Sequence, residues 1–276
     1  MKDKPLEVDM AEKMDVTELE QQKSKELKAL QDEWKKQISG KPKIEFADDG
    51  KKYSPECYFA YDGFFPGYFS QKRKVLFVGR ETRWIGGGNF DFRETTKEYF
   101  RDVNVTGSAW WRTILYVLYG IQHEGQISYA DVPVADEIAK EMVRSNNFGF
   151  AVMQLSKYSN DSEYGGTRNV YLMNRFLKDS ELEKRNFFQE ELALLYPDFI
   201  ITANLWECGV DSDALELCFP EENFSNMKSY RHIVEHGDYN LNGKTVKFIN
   251  TFHFSARKST EDDFYKPVMK ILFSKK

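Results

Sequence analysis

The chain has 276 residues, 41% of them apolar and 15% aromatic, which excludes a disordered polymer and allows one large core or one domain with an appendage. Its formal net charge of -5 gives the molecule as a whole no long-range attraction to nucleic acid, so any nucleic-acid site has to be a local basic patch. The opening MKDKPLEVDM lacks the apolar stretch of a secretory signal, and nothing approaches the roughly 18 to 20 apolar residues that span a bilayer; a cytoplasmic protein with no membrane partner is expected.

Residues 1–42 are charged and poor in aromatics, and read as an N-terminal helical appendage to a domain over 43–276. Within the appendage Leu27, Leu30, Trp34 and Ile38 fall on one stripe of a helix, and Thr17 with Glu20 has the spacing of a capping box. The stripe either offers a protein partner a surface or packs on the chain's own domain; the second is favoured.

Four apolar segments follow, at 74–79, 148–155, 198–203 and 245–251. Each has the near-continuous hydrophobicity of a strand buried on both faces, and helical patterns such as 109–121 and 185–196 lie between them, the latter stopped by Pro197. The expected fold is α/β: a three-layer α/β/α sandwich around a central, mainly four-stranded parallel sheet. In such sheets ligands sit beyond the carboxyl ends of the strands.

After the first segment comes Gly79-Arg80-Glu81-Thr82-Arg83-Trp84, which has neither the Gly-Lys-Ser/Thr of a Walker loop nor the GxGxxG of a dinucleotide site. Gly86-Gly87-Gly88 could approach a phosphate or form a plain surface loop. Glu81 could orient water or stabilise positive charge. In the second segment Gln154 carries a donor and an acceptor, suited to reading an amide-like edge. The fourth segment ends in His253, Ser255, Arg257 and Lys258, a conspicuous basic cluster.

In this order, the set resembles the uracil-DNA glycosylase superfamily. That family ends its first strand in a glycine turn with an acidic or amide residue and its last strand in a His-Pro-Ser loop. The counterparts here are Gly79-Arg80-Glu81-Thr82 and His253-Phe254-Ser255; Gln154 falls where a base-reading Asn is common, and 194–201 is similar to the family's approach to the third strand. Thr82 and Phe254 stand in place of prolines, Gln154 in place of Asn, and the cysteines of the iron-sulfur branch are absent. The resemblance, over roughly residues 70–260, implies cleavage of an N-glycosidic bond to uracil or another altered base, without a cofactor.

It also implies the roles. Glu81 would position water and stabilise the sugar cation, and His253 would hydrogen-bond the departing base. Gly79, Arg80, Thr82, Gln154 and Ser255 would line the base site. Arg257 and Lys258 would join Ser255 in gripping phosphates of DNA, single-stranded or damaged, or the site would take a free nucleobase. Arg80 contacts phosphate or else neutralises Glu81 in a catalytically silent, binding-only member of the same fold.

Two other patterns compete. His232, Glu235 and His236 form H-x-x-E-H, which on a helix would place two histidines one turn apart for zinc; a chance pattern near a turn is preferred. Trp110-Trp111 could stack a base but has the spacing of core packing. Cys57, Cys208 and Cys218 contain no CxxC pair and read as ordinary thiols, with no metal site.

Overall fold

The computed structural model describes residues 16–45, 52–83, 90–91, 98–101, 104–160, 167–206, 209–230 and 233–274. Trp84, Gly86-Gly87-Gly88, Cys208 and His232 lie outside them.

The protein is a mixed α/β structure built on a sheet of seven strands among the described residues. In chain order these are β1 (Gly63–Phe64), β2 (Val75–Arg83), β3 (Ala151–Asn160), β4 (Phe199–Ala203), β5 (Phe224–Tyr230), β6 (Ile233–Leu241) and β7 (Lys244–Thr251). The spatial order is β1-β3-β2-β4-β7-β6-β5. The inner pairings, β3 with β2, β2 with β4 and β4 with β7, are all parallel. Strands β1, β6 and β5 extend the sheet antiparallel on its two sides.

The four apolar segments are the inner strands, but β2 and β3 run further than their hydrophobic stretches. Val75 to Val78 is fully buried, as is every residue of β3, including Ser156, Lys157, Ser159 and Asn160. Gly79, Arg80, Glu81 and Thr82 are therefore inside β2 rather than in a turn after it, and Gln154 is in the middle of β3. Continued parallel pairing, Gly79 opposite Gln154 and Glu81 opposite Ser156, carries both strands past the end of the apolar run.

The helices are α1 (Val16–Ile38), α2 (Ala109–Gln122), α3 (Ala135–Ser145), α4 (Thr167–Ser180), α5 (Phe187–Leu195), α6 (Ser212–Cys218) and α7 (Lys266–Phe273). Helix α2 begins where the Ser108 hydroxyl accepts the Trp111 amide, and α5 where the Asn186 side chain accepts that of Gln189. Tyr196, left-handed at φ 46°, ends α5 just before Pro197.

Alternation along the strands divides the core in two. Val75, Phe77, Val152, Ile201 and Ile249 meet residues of α2, α3 and α7, whereas Leu76, Val78, Met153, Ile200 and Phe248 meet residues of α1, α4, α5 and α6. The α1 stripe belongs to the second group, with Leu27, Leu30, Trp34 and Ile38 all buried against the chain's own domain. Glu20 forms no capping box: its carboxylate accepts the amides of Gly67 and Phe69, and Thr17 lies within the helix.

Candidate active site

Strand β2 pairs with β4 as far as Val78 opposite Thr202, then continues on β3 alone while β4 ends at Ala203. The crossovers from β2 and from β4 lead to opposite sides of this boundary, so the separation falls at a topological switch point, where open α/β sheets place their ligand crevices. Arg80 spans it, donating from Nη2 to the Asn204 carbonyl at 2.8 Å.

Glu81 sits one residue further along β2. Burial raises its carboxyl from 4.5 to about 7, opposed by a hydrogen bond from Asn160 and by the charges of Arg83 and Arg80. Asn160 Nδ2 donates to Oε1 at 3.4 Å; Oε2 is buried without a hydrogen-bond partner among the described residues. A carboxylate poised near neutrality with one oxygen uncommitted can take up charge or orient a water.

Gly79 and Gln154, opposite each other on β2 and β3, form the floor. A Cβ on Gly79 would lie 2.3 Å from Gln154 Oε1 and 2.7 Å from Cη2 of Trp110, so only glycine permits this approach. Gln154 is 2% exposed, and its Oε1 is likewise buried without a hydrogen-bond partner.

His253 follows β7 by two residues. Burial and the nearby Arg80 charge lower its pKa to about 4, so the ring is neutral at pH 7. The Ser255 amide donates to Nδ1 at 3.3 Å, which places the proton of the neutral ring on Nε2, a donor with no hydrogen-bond partner among the described residues. Trp110 lies 5.4 Å from the ring. Phe254, where the resembled family has proline, is 2% exposed and packs edge-on against Trp110 and Phe77, so burial rather than a closed ring anchors this turn. The other replacement, Thr82, is also buried.

The structure thus gathers Gly79, Gln154, Trp110 and His253, with Arg80 the common charged neighbour of Glu81 and His253. Ser255, Arg257 and Lys258 lie exposed on the turn beyond, with Lys258 Nζ 4.6 Å from the centre of the Phe252 ring. Trp111 is core, at 8% exposure, while Trp110 is only partly buried.

The other sequence patterns take different forms. Glu235 and His236 are consecutive residues of strand β6, which point to opposite faces, so the helical zinc geometry of H-x-x-E-H is not formed. Cys57 is exposed and Cys218 buried. No helix among the described residues is long and apolar enough to cross a membrane.

Composition did not single out Asp62. It is fully buried, its Oδ2 accepts the Gln154 amide at 2.6 Å, and its two oxygens hold Lys157 Nζ at 2.7 and 2.8 Å. The signal was there: one acid inside the apolar run Tyr58-Phe59-Ala60-Tyr61-Asp62-Gly63-Phe64-Phe65 has to find a partner if buried. Neither the protein-family models nor the curated proteins give a match to this chain.

Proposed function

We propose that the protein is a DNA glycosylase-like hydrolase that cleaves the N-glycosidic bond of uracil or another altered base, using a three-layer α/β/α sandwich with four central parallel strands. The supporting observation is the pair of buried oxygens without a hydrogen-bond partner among the described residues, Glu81 Oε2 and Gln154 Oε1, on adjacent parallel strands at the switch point.

In this reading the base leaves the stack and its edge is read by Gln154. As the bond from C1′ to the base breaks, the electron pair leaves with the base and the sugar becomes cationic. Ionised Glu81 faces that cation, orients the water that adds to C1′ and takes the proton this water loses, which is then released to neutralise the departed base. Neutral His253 donates from Nε2 to the oxygen of the departing base, an interaction that strengthens as negative charge develops. Ser255, Arg257 and Lys258 contact the flanking phosphates of DNA, single-stranded or damaged.

A second reading, a catalytically silent member that binds nucleic acid or protein, is favoured by the close packing of Gln154 and Trp110 over Gly79. Oligonucleotides carrying uracil, hypoxanthine, xanthine or oxidised pyrimidines, single- and double-stranded, separate the two through alkali-labile abasic sites. Release abolished by both Glu81→Ala and His253→Ala supports the enzyme. Binding without release on every substrate overturns it in favour of the second reading.

A further inference from the structure

Just beyond the end of β4, on the face of the sheet opposite Gln154, lies a recess of about 660 Å³. That volume is in the range of small-molecule sites, roughly 300 to 1,000 Å³. Two of the five exposed large hydrophobic side chains among the described residues, Trp206 at 39% and Met227 at 38%, line it together. Their shared position beside one concavity gives a guest apolar surface to cover.

The walls are aromatic and inclined to each other. Trp206 stands edge-on to Phe248 (5.6 Å, 87°) and to Phe224 (6.2 Å, 74°), and is tilted against Phe219 (5.8 Å, 40°). Phe224 and Phe248 are themselves perpendicular within 10°, with centroids 4.9 Å apart and an interplanar angle of 80°. Phe219 and Phe248, 2% and 1% exposed, are buried beneath Trp206 and hold its ring in place, so Trp206 presents the aromatic surface open to a guest.

The rim is acidic. Glu216 of α6, Glu221 and Glu235 of β6 line the same recess, and its described lining contains no lysine, arginine or histidine. None of these carboxylates is engaged in an ion pair among the described residues. A neutral apolar guest would desolvate them without compensation, and an anion would be repelled. A bare metal ion needs closely converging ligands, and the described residues hold no group of three His, Cys, Asp or Glu so placed. Ring faces carrying negative charge and carboxylates both favour a diffuse organic cation.

We propose that this recess binds an organic ammonium group carrying alkyl substituents on nitrogen, with Trp206 as its principal wall and Glu235 as its counter-charge. The site is independent of the glycosidic chemistry, since Phe219 and Phe248 belong to the core on the opposite face of the sheet from Gly79, Gln154 and His253.

Titration of the full chain with tetramethylammonium, choline and a peptide bearing trimethyl-lysine, at matched ionic strength, tests it. The neutral isostere 3,3-dimethylbutan-1-ol is the control. Binding of the cations, with the isostere at least about fivefold weaker, is expected, because the cation's attraction to the rings is electrostatic. Trp206→Ala and Glu235→Gln should each weaken the cations with an unchanged circular dichroism spectrum. Tighter choline assigns a free small molecule, and a tighter peptide assigns a modified protein tail; both support the site. Equal binding of the isostere, or no cation binding at millimolar concentration, overturns it.

Discussion

The carboxylate of Asp62 accepts the backbone amide of Gln154 at 2.6 Å while holding the ammonium of Lys157, so a buried charge cluster fixes the strand that carries the side chain proposed to read the base. Lys157 also lies 2.8 Å from Glu191 Oε2, and Gln31 of α1 donates to both carboxylates. The cluster contains two acids and one base, and burial together with Glu191 raises the pKa of Asp62. Asp62→Asn leaves a balanced pair with altered hydrogen bonds and should cost about 1 to 2 kcal/mol, whereas Lys157→Met leaves two buried carboxylates unpaired and should cost about 3 to 5 kcal/mol. Urea unfolding measures both. The Lys157→Met deficit should shrink as pH falls, because protonation relieves the orphaned acids; equal costs for the two variants would contradict this charge count.

Glu81 makes the proposed activity pH-dependent in a fixed direction. Its carboxyl is raised from 4.5 to about 7, so the ionised form needed to face a sugar cation accumulates only as pH climbs through about 7. The kcat/KM profile should rise through that value, with the His253 transition, near 4, well below it. Stability runs the other way. An acid raised in the folded state contributes fully below its unfolded value of 4.5, and that contribution is lost as pH rises through about 7, a change on the order of 3 kcal/mol. Glu81→Gln should flatten this slope in denaturant titrations across the interval and abolish base release. A variant whose stability keeps the wild-type pH slope would place the titration elsewhere.

Much of the frame could be read from the chain, and the misplaced parts have physical causes. The apolar runs at 74–79 and 198–203 announce strands β2 and β4, and the Leu27-Leu30-Trp34-Ile38 stripe announces α1. The continuation of β3 through Ser156, Lys157, Ser159 and Asn160 was hidden, because burying such residues depends on partners such as Asp62, 95 residues away from Lys157. Strand β5 is almost wholly exposed and lacks an apolar face to reveal it. Glu81 and His253 stand out in the sequence because each closely follows an apolar run, although Glu81 lies inside β2 and only His253 lies past the end of its strand. The arrangement around them, with Arg80 reaching Asn204 and Trp110 over Gly79, depends on where β2 parts from β4, which no local pattern encodes.

Helix α1 should behave as core. Trp34 is fully buried, stacks on Phe187 at 5.5 Å and 9°, meets Phe176 at 5.2 Å, and donates from Nε1 to Ser180 Oγ at 2.7 Å. Trp34→Ala should cost about 3 to 5 kcal/mol, from lost burial plus the cavity left behind. Lys25→Ala, at an exposed position of the same helix, should stay within about 0.5 kcal/mol. Thermal unfolding of the two variants decides the matter: similar melting temperatures would mean that α1 is only loosely attached.

Two glycines should separate folding from the site. At Gly149 a Cβ would meet backbone atoms, Tyr68 N at 2.4 Å, Gly67 C at 2.5 Å and Pro66 O at 2.6 Å, none of which can turn away without moving the chain. Gly149→Ala should therefore cost about 3 kcal/mol or more, at or above the upper end of ordinary overpacking. At Gly79 the added carbon would meet the ends of two side chains, Gln154 Oε1 and Trp110 Cη2, which can rotate. Gly79→Ala should cost only about 1 to 2 kcal/mol while displacing the amide proposed to read the base. Urea midpoints paired with base binding by Gly79→Ala make the comparison: a folded protein that has lost the base is expected, and undiminished binding would remove Gln154 from the site.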